Sequence, residues 1–245
     1  MLKKILLSTA LSFSMVSVAA AQDGWSGEAS LSGSNTTGNT ETTDVGGAIK
    51  LKKETDLWRH KFKGYVDYGK VSGLKNKQAW GLGYQIDRDL NDRTYVYGNA
   101  DYYDDDFGAY QNGYFLGGGI GYKVILPDPI GWNVEVGPGY RSQKARDTVV
   151  AGFPNVPGER QNDLALRGFS DFDYQFNENV SLYNDTEIIY SKSDTYIWNE
   201  VGITANLMGN LAARASYRID NHSDVPAGVK KTDTTTRVGV VYTIN

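Results

Sequence analysis

Leu211-Ala212-Ala213-Arg214-Ala215-Ser216-Tyr217-Arg218-Ile219-Asp220 is the stretch that decides how this chain folds. Successive side chains of a strand point to opposite faces. Leu211, Ala213, Ala215, Tyr217 and Ile219 therefore share one face, and Arg214, Ser216, Arg218 and Asp220 share the other. Two arginines on one face forbid a core on both sides. The segment reads as a wall with an oily side and a watery side.

The same alternation recurs along the chain. Trp58, His60, Phe62, Gly64, Val66 and Tyr68 oppose Arg59, Lys61, Lys63, Tyr65 and Asp67. Likewise Trp132, Val134, Val136, Pro138 and Tyr140 oppose Asn133, Glu135, Gly137, Gly139 and Arg141. Twelve such segments occur, near residues 24–33, 42–53, 58–70, 76–86, 93–104, 111–124, 132–145, 161–176, 180–192, 195–207, 210–221 and 233–245. An even number suits closure, and closure removes the unpaired edges that so many strands would otherwise expose. The expected fold is all-β: a transmembrane antiparallel up-and-down barrel of about twelve strands. The face assignment is ambiguous only from Tyr95 to Tyr103, where tyrosines fall on both sides.

Composition narrows the function classes. The 245 residues include no cysteine, so disulfide scaffolds, thiolate metal sites and cysteine nucleophiles are excluded. With 29 acids against 25 bases, the formal charge of −4 argues against nucleic acid as a partner. Beyond the N-terminus no apolar run approaches the ~18 residues of a membrane helix. The N-terminus itself has Lys3 and Lys4, an apolar run from Ile5 to Val18, and the small residues Ala19, Ala20 and Ala21. That is the plan of a secretory signal peptide. Residues 1–21 are thus expected to be a cleaved leader and residues 22–245 the barrel.

Connections and aromatics agree. Outer-membrane barrels keep periplasmic turns short and lengthen the loops outside. If the first strand runs outward, Glu54–Leu57, Asp87–Asp92, Ile125–Gly131, Asn177–Asn179 and Met208–Gly209 are the periplasmic turns. The two longest connections, residues 146–160 and 222–232, fall on the other side. Trp25, Trp58 and Trp132 begin outward strands, while Tyr68, Trp80, Tyr103, Tyr114, Tyr140 and Tyr190 lie near the opposite ends, as membrane-interface girdles require.

Several short pieces resemble a known family. Gly24-Trp25-Ser26-Gly27 is followed by Ser34-Asn35-Thr36-Thr37-Gly38-Asn39-Thr40, and later come Asp104-Asp105-Asp106-Phe107, Gly117-Gly118-Gly119-Ile120-Gly121-Tyr122 and Glu135-Val136-Gly137-Pro138-Gly139-Tyr140-Arg141. In order and spacing these resemble the YdiY-like salt-induced outer membrane proteins, grouped as DUF481. The resemblance implies an outer-membrane location in a Gram-negative envelope and a link to salt stress, with no catalytic residues to carry over. Many outer-membrane barrels end on an aromatic that the barrel assembly machinery reads; here Tyr242 lies three residues before the end.

Candidate chemistry is sparse. Gly117 to Gly121 has no following helix and so is no phosphate loop. Asp104-Asp105-Asp106 lacks the spaced ligands of a calcium site, and Asn35-Thr36-Thr37 is a glycosylation acceptor in form only. No metal or cofactor is expected. His60 is placed on the lipid face. His222, at an outer strand end beside Asn221, Ser223 and Asp224, has suitable neighbours for hydrolysis, but adjacent residues on a strand cannot converge. The barrel is expected to be non-enzymatic, with an outer-membrane hydrolase as a minor alternative.

The lumen holds what remains. Lys61, Lys63, Asp67, Glu135, Arg141, Arg167, Asp171, Glu187, Arg214 and Arg218 are the candidate lining residues, joined by Asp173, Asp185 and Asp220. Charges in a narrow barrel must be hydrated or paired. Two readings follow: a narrow pore for ions or small solutes, or a plugged structural barrel that stabilises the envelope. At the outer rim Lys70, Lys75, Lys77, Lys144, Arg146, Lys192, Lys230 and Lys231 would suit anionic head groups. Lys230 and Lys231 are the candidates for contact with outer-membrane lipids, lipopolysaccharide included.

Overall fold

The computed structural model describes residues 24–37, 42–71, 73–126, 129–147 and 156–244. The expected leader lies outside the described residues, as do Gly38, Asn39 and Thr40. Twelve strands follow in order: β1 (Trp25–Thr37), β2 (Thr42–Glu54), β3 (Trp58–Val71), β4 (Leu74–Asp89), β5 (Thr94–Asp105), β6 (Tyr110–Ile125), β7 (Ile130–Ala145), β8 (Arg160–Asn177), β9 (Val180–Ser191), β10 (Thr195–Met208), β11 (Leu211–His222) and β12 (Thr232–Ile244). Each pairs antiparallel with its sequence neighbours, and β1 pairs with β12 to close the barrel. The closing seam runs from Gly27 opposite Ile244 to Thr37 opposite Thr234. The strands are 12–18 residues long, enough to cross a bilayer at a tilt and extend beyond it.

Period two governs which way each residue faces. Leu31, Val45, Val66, Leu82, Leu116, Val136, Leu166, Ile188, Ile203, Tyr217 and Val238 are exposed on the outer wall. Interface aromatics gather in clusters: Trp25, Phe62 and Tyr84 at the end carrying the chain termini, and Trp80 with Tyr102 at the other, 5.3 Å apart. The ambiguous segment of β5 resolves here. Tyr95, Tyr97 and Tyr103 turn inward and Tyr102 outward, so Tyr103 is not part of the girdle, contrary to expectation. Its ring lies over Gly113 of β6, where a Cβ would come within 2.8 Å.

That contact is one of a set. Inward rings cover glycines: Tyr95 covers Gly121, Tyr65 covers Gly81 and Tyr183 covers Gly202 on the neighbouring strand, while Phe115 covers Gly117 of its own strand and Gly139 of the next. The glycine run of β6 is explained by this covering and by the close approach of β7. An added Cβ on Gly119 would sit 2.1 Å from the Val136 carbonyl oxygen.

Turns at the termini end are tight. Asn177 Oδ1 accepts N–H bonds from Asn179 and Val180, and Asn91 Oδ1 accepts from Arg93 and Thr94. Gly209, at φ 55°, reverses the chain between β10 and β11. At the other end the Asp104 to Asp106 run has a structural use. Asp105 accepts the Phe107 and Gly108 N–H groups at 2.8 and 2.9 Å, and Asp106 pairs with Lys75 at 3.1 Å.

Candidate functional site

The inward face of the barrel carries its chemistry, and it is not evenly filled. Near the termini end of β3 to β5, Arg59 donates to both oxygens of Asp89 at 2.7 Å, Lys61 reaches Asp87 at 2.9 Å, and Lys123 reaches Asp89 at 3.2 Å. Deeper in, Arg167 of β8 is clamped by Glu135 at 2.7 Å and Glu187 at 2.6 Å. Glu135 also accepts from Gln85 and Tyr95, and Glu187 from Trp198. The Arg167 guanidinium lies over Tyr97 and Phe169. One ion with two partners and two ring faces is a satisfied buried charge.

The rest is wetter. Lys50 and Lys63 keep 57% and 58% of their side-chain surface in contact with solvent although both point into the barrel. Lys52 and Lys61 stand beside them, making a basic strip on β2 and β3. In a ring of twelve strands, β8 and β9 lie directly across from β2 and β3. Their inward residues include Asp171, Asp173, Asp185 and Glu187. A basic strip thus faces an acidic strip across the lumen. The gap is narrow: the Lys50 ammonium lies 5.7 Å from the centre of the Tyr183 ring on β9. Arg214 stands between them on β11, held bidentate by Glu28 at 2.7 Å and 5.2 Å from the same ring.

The long-loop end narrows around one carboxylate. Asp194, in the turn between β9 and β10, is fully enclosed. Its carboxylate accepts from His222 Nδ1 at 2.6 Å, the Ser223 hydroxyl at 3.2 Å and the Asp224 N–H at 3.1 Å, and forms an ion pair with Arg141 at 3.2 Å, whose guanidinium also donates to the Asp194 carbonyl at 3.3 Å. Burial alone would raise its pKa; the His222 bond, the Asp224 N–H and the Arg141 charge outweigh that and hold it down at about 2. The His222 ring lies between those of Tyr196 and Tyr110, at 4.6 and 5.0 Å. Tyr110, on β6, then donates to the Asp224 carbonyl at 3.0 Å, tying one side of the mouth to the β11–β12 loop.

His222 therefore has an orienting carboxylate, but on another connection and not among its sequence neighbours. Ser223 donates to Asp194 rather than to the imidazole, so the geometry is a tie across the mouth. His60 lies on the outer wall, 2.8 Å from the Tyr84 hydroxyl.

A family model for proteins of unknown function, DUF481, matches residues 29–244. The chain belongs to the DUF481 family. No sequence among curated proteins matches it. Among solved structures, the NanC porin is similar in fold, at 11% identity and a TM-score of 0.56, covering 89% of this chain and all of that one. The translocator domain of the autotransporter NalP from Neisseria meningitidis is similar too, at 16% identity and a TM-score of 0.54, with 90% and 88% coverage. At these identities the likeness is one of fold: a membrane-spanning β-barrel of the outer-membrane type.

The remaining expected lining residues are placed as follows. Lys63 pairs with Asp101 at 2.7 Å, Asp67 with Arg237 at 2.9 Å, and Arg218 with Asp220 at 2.8 Å while lying 4.2 Å from the Trp198 ring. Of the expected set, Glu135, Arg167 and Glu187 come together in one cluster and Arg218 and Asp220 in another. Outside the expected set, Glu28, Lys50, Asp101 and Arg237 also stand at inward positions of their strands, as do Arg59, Asp87 and Glu200. Asp194 sits in a turn, where alternation gives no signal. Lys77 is displaced from the outer rim: its side chain turns inward to Asp44 at 2.7 Å and the Thr36 hydroxyl at 2.9 Å.

Proposed function

We propose that this DUF481 barrel is an outer-membrane channel with a narrow, hydrated lumen for ions or small charged solutes. The observation that carries the reading is the solvent-exposed Lys50 and Lys63 inside the barrel, set across from the carboxylates of β8 and β9. Opposed charged strips create a transverse field in which water and small ions are favoured over apolar solutes. The solved NanC structure is described as a porin, which agrees with this use of the fold. Conductance in planar bilayers tests it. Stepwise currents are expected, and Lys50→Glu combined with Lys63→Glu is expected to move the reversal potential towards cation selectivity. A silent bilayer favours the second reading, a plugged structural barrel, which draws on the clamped Arg167 and the ring-covered glycines.

Export by a signal peptide, insertion by the barrel assembly machinery and a response to salt stress belong to the same proposal. So does contact of Lys230 and Lys231 with lipopolysaccharide. Both lie in the β11–β12 connection, where Lys231 also donates to the Ser223 carbonyl. Neutralising the two lysines together is expected to lower the lipopolysaccharide that co-purifies with the barrel.

A further inference from the structure

The outer wall is apolar on most strands, but a patch on β8, β9 and β10 is not. Ser170, Thr186 and Asn199 occupy successive register positions across these strands, and Asn184 lies one outward step from Thr186. All four belong to the lipid-facing parity. Leu166 and Phe172 flank the patch on β8, Leu182 and Ile188 on β9, and Ile197 and Ile203 on β10. Thr186 and Asn199 therefore sit among apolar neighbours of the belt, with Ser170 one position in from the Trp132 girdle.

They bond to one another only in part. The Asn199 amide nitrogen donates to Thr186 Oγ1 at 2.7 Å, Asn184 Oδ1 at 3.2 Å and the Asp185 carbonyl at 3.3 Å. Ser170 Oγ accepts from Trp132 Nε1 at 3.0 Å, and the Asn184 amide reaches the Glu200 carbonyl at 3.5 Å. Among the side-chain hydrogen bonds of the described residues, Asn199 Oδ1 accepts none, and neither the Ser170 nor the Thr186 hydroxyl donates one. Acyl chains can supply no partner for these groups. Polar side chains facing hydrocarbon characteristically hydrogen-bond to another protein segment, beside small residues that allow close approach. Beside the patch, Gly168 leaves open space: an added Cβ would meet nothing within 4 Å.

We propose that this patch is an intramembrane interface with a second copy of the same chain. Its leftover groups are complementary to themselves. An acceptor, Asn199 Oδ1, and two donors, the Ser170 and Thr186 hydroxyls, lie on the same strip, so a two-fold axis through β9 sets each acceptor against a donor of the other barrel. The strip carries no charge, so two copies meet without repulsion. This inference does not depend on whether the lumen conducts.

The native chain has no cysteine, which makes crosslinking selective. Thr186→Cys in native membranes is expected to give a disulfide-linked dimer on mild oxidation. Val66→Cys, on the outer wall of β3 at the opposite side, is expected to stay monomeric. Equal crosslinking at both positions, no crosslinking at Thr186→Cys, or a crosslinked band containing a different protein would each overturn the proposal. As a second measurement, Asn199→Leu with Thr186→Val is expected to convert a dimer to a monomer by native mass spectrometry in nanodiscs. The heat-modifiable gel shift reports that the barrel is still folded. A wild-type chain that is monomeric in nanodiscs and in membranes alike would also overturn it.

Discussion

Arg167 shows what a single charge costs inside this wall. Its two carboxylates and two ring faces keep it satisfied while only 3% exposed. Arg167→Met would leave Glu135 and Glu187 facing each other without the cation between them. Removing one partner of a buried pair typically costs about 3–5 kcal/mol, so the urea midpoint for unfolding from detergent micelles is expected to fall sharply. Arg218→Met is expected to cost less, because Arg218 is more accessible and Asp220 keeps Tyr196 as a donor. Asp194 makes a different prediction. Its pKa is depressed in the folded chain, so it stabilises the fold above the ordinary value of 3.8, and that contribution is lost as pH falls towards about 2. Its share is on the order of 2 kcal/mol just above the ordinary carboxylate value. The stability gap between wild type and Asp194→Asn should narrow as pH falls from about 4 to about 2, read from unfolding midpoints at each pH.

The strands were legible to different degrees, and the reasons are physical. In β11 every charged residue keeps one parity, and in β3 and β7 only Lys70 and Lys144, close to the strand ends, break it, so the sequence alone separates lipid from lumen. In β5 tyrosine suits both a membrane interface and a ring laid on glycine, and the deciding glycines, Gly113 and Gly121, belong to β6. A pairing between strands is not visible in one strand's pattern. Lys77 misled for a related reason: its place near a strand end suggested the rim, while its parity turned it towards Asp44. The polar patch on β8 to β10 escaped notice because Asn, Ser and Thr weaken the alternation without breaking it. Glycine contacts make the element-level prediction. On Gly119 a methyl group would strike the β7 backbone 2.1 Å away, whereas on Gly168 it would meet open space. Gly119→Ala is expected to destabilise the barrel by about 1–3 kcal/mol, and Gly168→Ala to leave unfolding midpoints close to wild type.

For the barrel as a whole, the question is where the path through it is narrowest. Between the basic and acidic strips the lysines stay in contact with water. At the long-loop end the obstacle is geometric. Tyr110 of β6 meets His222 and Asp224, which belong to the opposite side of the ring. A cavity of about 250 Å³ opens beside this contact, lined by Arg146, Val156 and Pro157 from one loop and by Val225 and Pro226 from the other. Two loops meet over one tyrosine. If ions cross the barrel, removing that ring should act on unitary conductance, while changing the lysines should act on selectivity. Tyr110→Ala is accordingly expected to raise single-channel current without moving the reversal potential, and Lys50→Glu with Lys63→Glu to do the converse. Single-channel recording of both variants checks the assignment. A Tyr110→Ala channel with the wild-type current would place the narrowest point among the charged strips.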